Sequence, residues 1–598
     1  MRLERWVPAL VWGRAYDRAT LGGDLMAAVI VTIMLIPQSL AYAMLAGLPP
    51  HVGLYASMLP LLAYAVFGSS RVLAVGPVAV VSLMTATAVS RIAEPGSPEY
   101  LAAALALALL SGLILIGLGL ARLGFLANLL SHPVIAGFIS ASAILIAAGQ
   151  LRHILGVPGG GDTVLEVLPA LARQWEAVNL PTLVIGGATI GFLVWVRLML
   201  SRLLMRIGLT AKLADALAKA APVVAVAASI LAVAGLDLAG AGVAIVGAIP
   251  QGLPPLTVPP LDAPMWRALL PAALLISVIG FVESVSVAQT LAARRRERIE
   301  PDQELVGLGA ANVAAAMSGG FPVTGGFARS VVNVDAGART PMAGVLTAGG
   351  IALTAVFLTP LFFHLPNAVL AATIIVAVLG LVDITAMRRT WRYSKSDFAA
   401  MAVTMGVVLG IGVEAGVLAG VALSLLLFLW RTSRPHMAVV GQVPGTEHFR
   451  NILRHAVVES PIVLTVRVDE SLYFANARYL EDRIAALAAE RPAIRHVVLM
   501  CPAVNLIDAS ALESLETIAD RLKAAGITFH LSEVKGPVMD RLKRSDFFDH
   551  LTGQVFLSQF EAFRTLDPEA AARAMATGPG APVSAAGGAP PSQGGGGR

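Results

Sequence analysis

Six long apolar runs constrain this chain more than anything else in it: residues 24–46, 100–121, 181–200, 268–292, 342–363 and 397–430. Most reach the roughly 20 residues that an α-helix needs to cross ~30 Å of hydrocarbon. Lipid offers no water to satisfy exposed peptide groups, so runs repeated in this way belong to a bundle of helices. Only 14% of the 598 residues are charged, against about 25% in soluble domains. The sequence reads as a polytopic α-helical membrane protein.

The start, "MRLERWVPALVWGRAYDR", is amphipathic, carries four arginines and has no early apolar core, so a secretory signal is not expected. The net charge of +5 does not indicate nucleic acid, because the basic residues fall in short loops between spans, as the positive-inside rule requires. They recur at Arg71, Arg122, 197–219, "RRRER" 294–298, Arg339, "RRTWRYSK" 388–395 and Arg431/Arg434. The loops at 235–265, 363–367 and 413–416 have neither Lys nor Arg. This alternation predicts fourteen transmembrane segments, multi-pass in the inner (plasma) membrane, with both termini cytoplasmic. Two loops depart from it, those bearing Arg91 and Arg152. One cysteine, Cys501 in "HVVLMCPAV", excludes an internal disulfide and reads as a buried strand residue.

The composition changes after Trp430. "IVLTVRVDESLYF", "HVVLMCPAVNLID" and "TFHLSEV" read as strands, with β-branched residues bounded by turn or charged residues. "NARYLEDRIAALAAE", "ALESLETIADRLKAAG" and "GPVMDRLKRSDFF" read as helices. The expected organisation is a cytoplasmic N-terminal segment (1–20), a transmembrane domain (21–433, with repeats at about 21–236 and 266–433) and a small α/β domain (440–566). An Ala/Gly/Pro-rich tail (567–598) is expected to be disordered.

Two short segments inside the membrane part resemble one another. "SSRVLAVGPVAVVSLM" (69–84) and "GGFPVTGGFARSVVNV" (319–334) each place an extended, glycine-bearing stretch before a short helix. Each is third in its half, as expected for two inverted repeats of seven spans. Interrupted segments at matching positions are the best sequence pointer to a transporter's binding site. Facing half-helix N-termini, at roughly +0.5 charge each, make an anion site, and Arg329 adds a full charge. Gln38, after Pro37 in the first span, offers an amide donor. Glu283, eleven residues before the basic 294–298 loop, lies roughly 16 Å from the cytoplasmic end, which makes it a functional candidate. The histidines have no metal-ligand spacing, and no Walker A sequence is present. Neither an enzyme, a cofactor nor a metal site is expected.

The stretches "IPQSLAYAMLAGLPPHVGLYASMLPLLAYAVFGSSRVLAVGPVAVVSLM" and "GFVESVSVAQTLAARRRERIEPDQELVGLGAANVAAAMSGGFPVTGGFARSVVNVDAGARTPMAG" resemble the two signatures of the SulP (sulfate permease) anion transporters. The C-terminal domain resembles a STAS domain, and the likeness covers about residues 20–565. It implies a seven-plus-seven inverted repeat of the uracil-permease-like fold, a core domain that moves against a gate domain, and a homodimer. By position it implies an anion site at Gln38, Tyr42, Val78, Ala79, Phe327, Ala328 and Arg329, with Glu283 as the coupling or charge-balancing acid. In "NLIDASALE", Ala509 stands where related anti-sigma-factor antagonists phosphorylate a serine, and Ser510 comes one residue later. The expected function is secondary active transport of an inorganic anion, sulfate first and proton-coupled. The alternatives are sodium-coupled bicarbonate transport, anion exchange (chloride, bicarbonate or dicarboxylate) and, further off, a nucleobase permease. Lipid and a cytoplasmic protein at the STAS domain are the other expected partners.

Overall fold

The computed structural model describes residues 4–576, apart from residues 5, 15, 129, 130, 162, 209, 211–213, 215, 216, 219 and 220. The chain divides into two compact units, Met1–Ser424 and Leu425–Arg598, with the boundary inside the helix Val413–Ser433.

Among the described residues, the regular structure of the first unit is helical except for one two-stranded ribbon and an isolated bridge between Ile245 and Pro366. Among the described residues nine helices are long and apolar enough to cross a bilayer, from Arg18–Leu45 to Val413–Ser433. Many begin with proline in the first turn, including Pro98, Pro133, Pro181, Pro264 and Pro301. The missing N–H costs nothing there, and φ is already helical. Pro37 lies inside Arg18–Leu45, and the helix runs through it.

Close packing in the membrane comes from small residues rather than from a hydrophobic force between helices. Pro98–Leu120 and Pro301–Met317 meet at Gly112 and Gly309, where a Cβ on either would lie 2.8 Å from the other's carbonyl oxygen. Ser111 and Ser277 share a buried hydroxyl pair at 2.9 Å.

The second unit is a six-stranded sheet in the order Phe449–Asn451, Met437–Gln442, Val463–Val468, His496–Met500, Thr528–Ser532, Val555–Phe556. The last four are parallel, with Val463 opposite His496 and Val497 opposite Phe529. The three expected strands are the central ones. The flanking strands were not read from the sequence, being short or lying before the expected domain start at 440. Phe474–Ala489 and Ala509–Ala524 bury Leu480, Ile484, Leu515 and Ile518 with Leu464, Val466 and Leu499. Asp508 joins the two helices, capping Ala511 N at 2.9 Å and accepting from Phe474 N at 2.9 Å, while Ala509 and Ser510 are exposed. Cys501 is buried just past its strand, and burial pushes its thiol up to about 12.

Order continues beyond the expected end of this domain. Pro568–Ala576 is a helix that buries Ala570, Ala571 and Ala574. Asp567 holds it, accepting from Ala570 N (3.0 Å) and Ser460 Oγ (2.6 Å). The rest of the tail, 577–598, lies outside the described residues.

A histidine pair links two of these strands. Gln554 N donates to His530 Nδ1 at 3.2 Å, which directs Nε2–H toward His496 Nδ1 at 3.3 Å. Burial first, and then His496, hold His530 down at about 4, whereas an unfolded histidine titrates near 6.5. Above pH 6.5 both states are neutral. As pH falls toward 4 the unfolded chain takes a proton that the folded domain refuses, so stability declines across that window. Hydrogen exchange in 528–556 is expected to quicken there. His530→Asn keeps an acceptor for Gln554 and cannot titrate, so it should flatten the dependence. An unchanged pH profile in that variant would rule the histidine out.

Candidate anion site

The two glycine-rich segments meet. Val75–Gly76 pairs antiparallel with Thr324–Gly325, Val75 opposite Gly325 and Gly76 opposite Thr324. Each strand runs directly into a short helix, Ala79–Val89 and Phe327–Asp335. Because the strands are antiparallel, the half-helices leave in opposite directions with their N-termini adjacent. Neither end has a side-chain cap. The first helical donors to find acceptors are Ser82 N, on Val78 O (2.9 Å), and Ser330 N, on Gly326 O (3.0 Å). The amides of Ala79–Val81 and Phe327–Arg329 therefore face the junction without main-chain partners.

Cross-links hold this arrangement. Ser330 Oγ accepts from Ala74 N at 2.9 Å, and Asn333 Nδ2 donates to Val72 O at 3.0 Å. Ser284 Oγ, on the Glu283 helix Ala263–Arg295, accepts from Gly325 N (2.9 Å) and pairs with Thr324 Oγ1 (2.6 Å). Asn312 brackets Val323 with two bonds of 2.9 Å. Every one of these polar side chains is buried.

Arg329 is only 3% exposed. Its Nη1 donates to Pro77 O at 2.8 Å, while its Nη2 is buried with no partner. The two glycines beside it are needed for space: a Cβ on Gly326 would come within 2.9 Å of Nε, and one on Gly76 within 3.1 Å of Nη1. Tyr42 and Glu283 lie within electrostatic reach of the guanidinium. Both of their helices pack against both half-helices. Gln38 is one turn before Tyr42 on the same face, partly exposed and with no side-chain hydrogen bond within the protein. Val78 caps the first half-helix and Ala79 begins it, buried in one cluster with Tyr42. Phe327 and Ala328 begin the second and are exposed. Glu283 borders a small apolar crevice with Phe138, Ile139 and Val417.

The residues that hold the site together were present in the sequence without an assigned role. Thr324, Ser330 and Asn333 sit inside the quoted motif, and Ser284 adjoins Glu283. Small hydroxyl and amide residues are common in spans, and only their partners distinguish them.

Residues 21–404 match the model of the sulfate permease family, and 455–562 match the STAS domain. The chain belongs to the sulfate permease family. The permease is 37% identical over 563 residues to sulfate transporter 4.1, chloroplastic, of Arabidopsis thaliana, covering 91% of this chain and 80% of the relative. It is 35% identical over 550 residues to a probable sulfate transporter of Mycobacterium tuberculosis, covering 91% and 95%. Its fold matches that of SLC26A9 with a TM-score of 0.85 at 21% identity, covering 95% of this chain and 94% of that one. The permease is thus a multi-span anion transporter with a C-terminal STAS domain, and not an enzyme.

Proposed function

We propose that the permease carries sulfate into the cell, held between the two half-helix N-termini and driven by protons. The observation that carries this reading is the buried, unpartnered Nη2 of Arg329 beside two uncapped helix ends. A buried donor left unsatisfied costs about 1–3 kcal/mol, and more when charged, so the site gains when an oxyanion fills it. Gln38 and Tyr42 donate from the facing helix, and the backbone at Val78, Ala79, Phe327 and Ala328 completes the cradle. The sulfate transporters among the relatives support the choice of substrate.

Charge favours a dianion. The helix ends contribute about +1 together and Arg329 about +1 more. With Glu283 protonated the sum matches sulfate, and with Glu283 ionised it falls nearer to +1. Glu283 thereby couples proton to anion. Sodium coupling needs hard oxygen ligands beside Glu283, but Ser284 Oγ is already engaged by Gly325 N and Thr324 Oγ1, and Val287 offers none. Alternating access moves a core domain carrying the half-helices against a gate domain. We assign fourteen spans in two inverted repeats of seven, both termini in the cytoplasm, an inner-membrane location, a homodimer and a docking role for the STAS domain.

The test is labelled-sulfate uptake into proteoliposomes with and without an inward proton gradient. Wild type should accumulate sulfate with the gradient. Glu283→Gln should still exchange sulfate down its own gradient but lose the response to protons. Undiminished proton-driven uptake by that variant would remove Glu283 from coupling.

A further inference from the structure

Two basic residues break the loop alternation, and the structure accounts for one of them. Arg91 pairs with Glu414 at 2.9 Å. Arg152, near the end of the helix His132–Leu155, has no carboxylate partner among the described residues. Its Nε donates to His153 Nε2 at 3.2 Å, and neither of its terminal amino groups bonds to the protein.

Arg152 lines a cavity of about 270 Å³ among the ends of Arg18–Leu45, Ala79–Val89 and its own helix. A water takes about 30 Å³, so an oxyanion fits with several waters. Gln150, Thr87, Ser90 and Tyr100 are the other polar side chains there, and no carboxylate is among the described lining residues. Gln150 is only 4% exposed, yet its amide makes no hydrogen bond with the protein. Gly160 and Gly161 close one side, so near that a Cβ on Gly160 would lie 3.2 Å from Arg152 Nη1.

Helix C-termini attract cations, so capping them would be a simpler task for Arg152. Many of these carbonyls are already engaged. Tyr42 O, Ala43 O and Met44 O accept from Ala46, Leu48 and Gly47 N, and Ala46 O accepts from the Tyr100 hydroxyl. Ala86 O accepts from Ser90 N, Val89 O from Ile92 N, Arg152 O from Val157 N and Leu155 O from Asn179 N.

We infer that Arg152 and Gln150 form a second anion site, an antechamber that captures a small inorganic anion before it reaches Arg329. Thr87 stands eight residues along the half-helix from Ala79, about 12 Å from the central junction. On the topology proposed above, on which this inference rests, the antechamber opens to the outer face. A guanidinium in a cavity with no carboxylate among its described lining residues raises the local anion concentration and so lowers the KM for uptake. It touches nothing in the central site, so turnover is left alone.

The experiment measures sulfate uptake into proteoliposomes, and equilibrium binding of labelled sulfate to the purified full chain, for wild type, Arg152→Gln, Arg152→Lys and Arg329→Ala. One charge-assisted contact is worth about tenfold in affinity. Arg152→Gln should therefore raise KM about tenfold with maximal rate within about twofold, and Arg152→Lys should recover most of the affinity. Wild type should bind more than one sulfate per chain. Arg329→Ala should lose transport but keep a binding component that Arg152→Gln lacks. If Arg152→Gln matches wild type in KM and stoichiometry, the antechamber is overturned while the central site stands. A rate falling with unchanged KM overturns it too. If instead Arg329→Ala transports normally, the central reading fails, whatever Arg152 does.

Discussion

Arg329→Ala is expected to lower sulfate uptake by at least about 100-fold while the protein still folds and inserts. The two terminal nitrogens of its guanidinium make different contributions. Nη1 holds Pro77 O at 2.8 Å and so ties the second half-helix to the entry of the first. Nη2 has no partner and is the donor left for the anion. A hydrogen bond to a charged group is worth about 1.5–3 kcal/mol, so losing that bond together with the charge accounts for about two orders of magnitude. Folding should survive, because the Val75–Gly76 ribbon and the Ser330, Asn333 and Ser284 bonds remain. Arg329→Lys should fall between, since an ammonium lacks the planar fork that reaches Pro77 O and the anion together. Labelled-sulfate flux, normalised to correctly folded protein by gel filtration, checks this. Uptake within threefold of wild type in the alanine variant would remove Arg329 from the binding site.

Glu304→Ala is expected to lower stability by about 3–5 kcal/mol, because each buried donor left without its acceptor costs about 1–3 kcal/mol. Glu304 is fully buried and has no basic partner among the described residues. Its carboxylate accepts instead from the Tyr64 hydroxyl (2.8 Å), Ser69 N (2.9 Å), Ser69 Oγ (2.6 Å) and Ser70 N (2.7 Å). Four donors replace the hydration of the charge, and removing the acceptor strands the buried Tyr64 hydroxyl and Ser70 N. The effect reaches the anion site along the chain, because the turn at 68–70 leads directly into the extended segment and the first half-helix. Thermal unfolding in detergent checks the loss. Glu304→Gln keeps the shape and part of the acceptor capacity, so it should lose about half as much. If the alanine variant melts with wild type, the network does not contribute to stability.

The membrane class, the interrupted repeats and the central charges were all legible in the chain. Apolar runs of about 20 residues have no other stable use. Glycine and proline before a short helix mark broken backbone wherever they occur. Arg329, Glu283 and Gln38 stand out because charge and amide groups are rare at that depth. Tyr42, Val78, Ala79, Phe327 and Ala328 came from resemblance alone. A tyrosine or small apolar residue in a span carries no local sign of its neighbours.

Other features had no local sign at all. Asp24 stands at the start of the first long run and is fully buried. It accepts from Arg339 N (2.6 Å), Thr340 N (3.1 Å) and Thr340 Oγ1 (2.5 Å), some 315 residues away. Glu304 finds its donors more than 230 residues back. The helix at Pro568–Ala576 was hidden by an alanine-rich composition shared with the tail, and only the pocket that buries its three alanines gives it a reason to form.

By itself the sequence determined that this chain spans a membrane, that its backbone breaks twice in register, and that a cation stands at one break. Each of these follows from hydropathy and backbone chemistry, which act over a few neighbouring residues. Only the tertiary structure decided that the two breaks meet as an antiparallel ribbon, that Nη2 of Arg329 is left unpartnered there, and that Arg152 lines a cavity with no carboxylate among its described lining residues. Those facts depend on which buried donor meets which acceptor across hundreds of residues. Such pairing is set by the packing of whole helices, where every buried polar group must find its partner at once.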